Sequence, residues 1–252
     1  MKGKICIALK YALPVFACVG IVLGMVYYRE DGYSHPAKRL LYFTTQSNLW
    51  IAFTSVALLI LPRTRFFKRE KVVAALFLLK FIFTVSIAVT GVVFCTLLAP
   101  FADENYRPWT FYSLCTHVIV PSLAIIDYFL DDMPVLLSRR RVCYSVLPPL
   151  AYFLFSIILG AANVDFGRGD PFPYFFLDFH SEVGLFGVKL TPLPALGTVY
   201  WIVILSGFIL GLGACFASLH PRQKQLKKQR SSTAGALSPI EGNCPSVQAS
   251  NE

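Results

Sequence analysis

Six mainly apolar stretches, each about twenty residues or longer, divide the chain: residues 5–28, 41–61, 72–98, 109–130, 142–162 and 196–219. A helix rising about 1.5 Å per residue needs about 20 such residues to cross a hydrocarbon core of about 30 Å. Lipid offers no hydrogen bonds to a bare backbone, so segments of this kind span as helices. The chain is therefore read as an all-α polytopic membrane protein, a bundle of six transmembrane helices. Composition agrees, because only 15% of its 252 residues are charged, against about 25% in soluble domains.

Lys and Arg collect on the cytoplasmic side of membrane proteins. With Lys10 assigned to the amino-terminal segment, alternate non-membrane segments hold 16 basic residues on one side and 6 on the other; Lys80 lies within the third span. Both termini are thus expected to be cytoplasmic, in a plasma membrane. The net charge of +9 suits anionic headgroups, making membrane lipids the expected partners. Nucleic acid is a poor fit, since no basic, aromatic-rich soluble domain exists to hold it. Residues 1–221 form the six-span domain. Residues 222–252, basic and then rich in Ser, Gly and Pro, read as a cytoplasmic tail without fixed structure. The first stretch follows Lys2 and Lys4 as a signal peptide would, but its length and lack of an A-x-A site favour a retained helix.

None of the seven cysteines falls in a C-x-x-C spacing, and no H-E-x-x-H or glycine-rich phosphate loop is present, so no metal or cofactor is expected. Cys95 and Cys115 share a depth that would permit a disulfide, with free thiols favoured.

Polar residues inside spans are costly and mark candidate sites. The second span opens with Thr44, Thr45, Gln46, Ser47 and Asn48 in succession. On a helix Thr44, Ser47 and Asn48 share a face, whereas Thr45 and Gln46 point elsewhere, so one neighbouring helix cannot satisfy all five. His117, in the fourth span, precedes Pro121 by four residues. Proline has no N–H and its ring crowds the carbonyl four residues back, so a kink is expected at His117. Lys80 and Asp127 lie toward the opposite end and are candidates for an intramembrane ion pair. Residues 170–183 hold an aromatic run broken by prolines, too short to span, that reads as an interfacial flap bringing Asp178 over the bundle mouth.

These residues suggest a chemistry. A threonine hydroxyl attacks only when a base takes its proton, and histidine is the usual base. Thr44 would attack an ester, His117 would act as base and then acid, and Asp178 would orient the imidazole. Gln46 and Asn48, with Ser47 beside them, would bind the substrate or the oxyanion. The alternatives are a proton-coupled transporter or small-molecule binding protein, which would use Lys80 and Asp127, and a non-catalytic membrane scaffold.

The segments "YFTTQSNLW", "CTHVIVPSLAIID" and "PYFFLDF" resemble signature segments of an uncharacterised family of bacterial six-span membrane proteins. More distantly, their order resembles that of the androgen-induced family, six-helix intramembrane threonine hydrolases of fatty acid esters of hydroxy fatty acids. That resemblance implies a catalytic pair of Thr44 in "YFT" and His117 in "THVIVP", with residues 174–178 matching the family's "Y-P-F-L-E"-like segment. The residues after "YFT" are more polar here, and the proline after the histidine falls one position closer.

Overall fold

The apolar stretches fold as six helices long and apolar enough to cross a membrane, which makes the chain a multi-pass membrane protein. The computed structural model describes residues 2–65, 69–100, 107–169, 172–178 and 195–236. Its spans are α1 (Lys2–Val26), α2 (Phe43–Ile60), α3 (Glu70–Leu98), α4 (Phe111–Leu130), α5 (Arg139–Ala161) and α6 (Ala195–Leu219). No strand occurs among the described residues.

Helices α1 to α4 close a ring in which each packs on the next and α4 returns to α1; α5 and α6 lie outside it against α3. Helix α3 is consequently the most enclosed, 56% buried against 17% for α5 and 22% for α6. Two apolar clusters fill the bundle. Leu13, Ala17, Ile51, Ala52, Ile87, Val120 and Ala124 fill the middle of the α1–α4 ring. Phe81, Val85, Tyr128 and Phe216 join α3 and α4 to α6.

Helix α4 is not uniform. It widens to a π-helix over Cys115–Ile119, the Val120 N–H bonding the Cys115 carbonyl five residues back. Pro121 cannot donate to the His117 carbonyl, and insertions of this kind recur at functional sites. The kink expected at His117 therefore takes the form of a widened turn. A second π-turn, Phe94–Leu98, ends α3 alongside it.

Glycine lets the neighbours approach this turn. A Cβ on Gly91 of α3 would come 2.9 Å from the His117 carbonyl oxygen, and one on Gly20 of α1 would come 2.8 Å from Cys115 Cβ. Each contact is with backbone or a helix-bound Cβ, so neither neighbour can rotate away. Gly91→Ala is expected to destabilise the fold by about 1–3 kcal/mol, measured by thermal unfolding in micelles; unchanged stability would show that the helices separate freely here.

The tail departs from expectation. Residues Pro221–Ala236 form a helix, α7, because Gln, Lys and Arg favour helix and because its start is fastened to the bundle. Gln223 accepts from the Leu137 N–H at 2.7 Å and donates to the Val135 carbonyl at 2.6 Å. His220 Nε2 donates to the Tyr128 carbonyl at 2.9 Å. Residues 237–252 lie outside the described residues. Cys95 and Cys115 are both free thiols.

Candidate functional site

Thr44 sits in the first turn of α2 and His117 in the widened turn of α4, and the two meet: Thr44 Oγ1 lies 3.3 Å from His117 Nε2. The other ring nitrogen fixes the proton's position. His117 Nδ1 is 2.9 Å from the Ser113 carbonyl, with the Ser113 and Thr116 hydroxyls each at 3.2 Å. A carbonyl oxygen only accepts, so Nδ1 carries a hydrogen; in the neutral ring the lone pair of Nε2 then faces the threonine. Phe94, from the π-turn of α3, stacks on the imidazole at 3.9 Å between ring centres and fixes its plane.

The other members of the polar run divide among neighbours, as their helical spacing requires. Asn48 Nδ2 donates to the Thr44 carbonyl at 2.8 Å and to the Thr116 carbonyl at 3.0 Å, tying α2 to α4. The Ser47 hydroxyl is 3.0 Å from both the Thr44 carbonyl and the Thr90 hydroxyl of α3. Gln46 turns back to the Leu40 carbonyl at 3.3 Å. Ser47 and Asn48 thus fasten helices and Gln46 closes the α2 entry; none of the three faces the cavity beside Thr44, while Thr45 does.

Asp178 does not orient the imidazole, because Ser113 occupies Nδ1. It ends the turn Phe175–Leu177 and is absent from the cavity wall. Part of the aromatic segment does line the cavity. Pro173, Tyr174 and Phe175 form one side of the cavity, and Tyr174 packs edge-on to Tyr42 at 5.8 Å. Residues 170, 171 and 179–183 of the expected flap lie outside the described residues.

Two spaces meet at Thr44. One is a chamber of about 280 Å³ bounded by His117, Thr45, Thr116, Arg39, Arg168 and tyrosines 33, 42 and 174. The other is an apolar slot of about 90 Å³ between α3, α5 and α6, lined by Val89, Val93, Leu205 and Ile209 among others. Thr44, Leu98 and Tyr174 border both.

Sequence reasoning missed Arg39, which lies in the 3₁₀ turn Pro36–Leu41 before α2. It pairs with the buried Asp31 at 2.5 Å and lies over the rings of Tyr33 and Tyr112 at 5.0 and 5.3 Å. Asp31 also accepts from the Tyr112 hydroxyl at 2.9 Å. The loop bearing Arg168 is shaped by Asp165, which accepts from the Gly167 and Gly169 N–H groups at 2.7 and 2.9 Å. Partial burial pushes the Asp165 carboxyl up, but those N–H groups and Lys38 outweigh it and hold it below the usual carboxylate range.

Lys80 and Asp127 pair at 2.6 Å, about 15 Å along α3 and α4 from the Thr90 and His117 level. They belong to a larger set. Lys10 contacts Asp127 at 2.7 Å and Asp131 at 2.9 Å, and Lys80 contacts Asp131 at 2.5 Å, closing a ring of alternating charge. Lys10, counted above with the amino-terminal segment, is 7% exposed inside the bundle. Its place in the apolar run "CIALKYALP" was the available signal.

No group of three or more His, Cys, Asp or Glu side chains able to hold a metal occurs among the described residues. Comparison with protein families, with curated proteins and with solved structures returns no match.

Proposed function

We propose that this integral membrane protein hydrolyses lipid-like esters, with Thr44 as nucleophile and His117 as base and then acid. The observation that carries the reading is the 3.3 Å contact between Thr44 Oγ1 and His117 Nε2, with the neutral ring's tautomer set by Ser113. This is the geometry an activated hydroxyl requires. The resemblance to the androgen-induced hydrolases points to the same pair.

Thr44 Oγ1 bonds to the ester carbonyl carbon as its proton passes to Nε2. The bond from that carbon to the alcohol oxygen breaks, and Nε2 returns the proton to the departing oxygen. Water then adds to the acyl-threonine, giving a proton to Nε2. The threonine ester bond breaks, the proton returns to Oγ1, and a free fatty acid leaves. The oxyanion role assigned to Gln46, Ser47 and Asn48 passes to the start of α2. Thr44 and Thr45 lie in its first turn, whose N–H groups have no carbonyl within the helix, and no side chain caps it.

With both termini cytoplasmic, in a plasma membrane, the site opens in the outer leaflet. The transporter alternative needs polar lining from the site to the Lys80–Asp127 level. The apolar cluster of Ile51, Ile87, Val120 and Ala124 lies in that interval, and the buried hydroxyls of Ser55, Thr84 and Ser86 there are each bonded to a backbone carbonyl, which favours hydrolysis.

A fluorophosphonate probe tests the nucleophile directly. Attack by Thr44 displaces fluoride and leaves a phosphonyl adduct, which peptide mass spectrometry is expected to place on Thr44 and to lose in Thr44→Ala. An adduct on another residue, or none on Thr44, would remove the assignment.

A further inference from the structure

Thr44 stands at the boundary of two compartments of opposite character, and a scissile ester placed there must send one part into each. We infer that the substrate is a single-chain acyl ester whose alcohol portion is small and carries an oxyanion, either phosphate or carboxylate. This rests on the hydrolase reading for the word ester; the anion preference stands on the chamber alone.

The acyl side follows from the slot. Val89, Val93, Leu205 and Ile209 line it, it is narrow, and it lies among helices facing the hydrocarbon core. An unbranched chain fits such a space, and burying each CH₂ contributes about 0.8 kcal/mol. A volume of about 90 Å³ leaves room for one chain rather than two.

The alcohol side follows from the chamber. Its volume of about 280 Å³ is at the small end of pockets that hold organic ligands. That size suits a few-carbon alcohol rather than a second long chain, in contrast to the hydroxy fatty acid esters of the resembled family. Its charge is one-sided. Arg39 and Arg168 line it together with Tyr33, Tyr42 and Tyr174, and no carboxylate does so among the described residues.

Arg39 is also prearranged. Its NH1 is held by Asp31, whose side chain is fully buried, and its guanidinium lies over two tyrosine rings. A guanidinium has five N–H donors in a fixed fork, so one engaged edge leaves others for a planar or tetrahedral oxyanion. Arg168 shares one of those rings, lying over Tyr33 at 4.8 Å from its centre. Side chains immobilised in this way lose little entropy when they bind.

The test uses ether analogues, which bind without reacting. The full-length protein in neutral maltoside micelles is titrated calorimetrically with dodecyl glyceryl ether, with its phosphate monoester, with dodecyloxyacetate and with a dodecyl trimethylammonium ether. At least one of the two anions is expected to bind about tenfold or more tighter than the neutral ether. Preference for the phosphate or for the carboxylate identifies the source. Arg39→Gln is expected to bring the ratio of anion to neutral affinity close to one. Because that change strands Asp31, Arg168→Gln and the double change Asp31→Asn with Arg39→Gln are measured beside it, and either should reduce the ratio. Equal affinity for anionic and neutral ethers, tighter binding of the cation, or an unchanged ratio in all three variants overturns the inference. Turnover of the matching dodecanoyl esters is a separate readout: anion-selective binding without cleavage removes the hydrolase reading and leaves the chamber assignment standing.

Discussion

Thr44→Ala is expected to abolish ester turnover in the purified protein, and His117→Ala to lower it by about 10²- to 10⁴-fold. The asymmetry has a physical basis. Without Oγ1 no acyl-enzyme forms, whereas without the imidazole an unassisted hydroxyl still attacks slowly beside the first-turn N–H groups of α2. The two residues act on one proton, so their effects should not add: the double variant should be no slower than Thr44→Ala alone. Thr44→Ser keeps the hydroxyl and should retain measurable turnover. His117 also stacks on Phe94 at 3.9 Å, so thermal unfolding of each variant must accompany the kinetics to separate chemistry from packing. Turnover of a dodecanoyl ester that is equal in wild type and both alanine variants would eliminate the pair as catalytic.

The second large effect lies at the other end of the bundle. Asp127 and Lys80 are both 2% exposed, and removing one charge of the ring leaves an uncompensated ion in a low-dielectric interior. Asp127→Asn or Lys80→Met is expected to cost about 3–5 kcal/mol of stability. Removing both together leaves Lys10 paired with Asp131 at 2.9 Å, and so should recover much of the loss. Such compensation is the signature of paired charge rather than of lost volume, and denaturant unfolding in micelles measures it. A single variant as stable as wild type would mean that the ring is hydrated and carries little of the fold.

The spans were legible because membrane thickness imposes a length that apolar runs display openly. Thr44 and His117 were legible for the converse reason, since each is a polar side chain in a segment that otherwise minimises them, and Pro121 marked the place where the helix would yield. The orienting partner of His117 was not. It is the Ser113 carbonyl, a backbone group present at every residue, and only the local shape of α4 makes this one available. Asp178 was the attractive candidate because carboxylates often serve this role, yet the turn that bears it ends outside the cavity wall. Arg39 escaped notice because it belongs to a connecting turn, where a cation is unremarkable until Asp31 and two tyrosines are seen to hold it. Lys10 was hidden by its nearness to other amino-terminal lysines, although a cation inside an apolar run has to find a counter-ion. The polar run at the head of α2 was informative as a whole and misleading in detail. Its hydrogen-bonding needs were real, but Ser47 and the Asn48 amide nitrogen meet them between helices rather than at a ligand, while Asn48 Oδ1 is buried without a hydrogen-bond partner among the described residues.

The apolar layer of Leu13, Ile51, Ile87, Val120 and Ala124 separates the imidazole from the ring of buried ions. In the proposed hydrolysis, protons taken up and given back by His117 would therefore exchange with the aqueous phase on the face where the site opens. No charge would cross the bilayer during that cycle, so the reaction could neither draw work from the membrane potential nor dissipate it. Such a site would be electrically silent, and the direction of hydrolysis would be set by pH and by the concentrations of ester, alcohol and fatty acid.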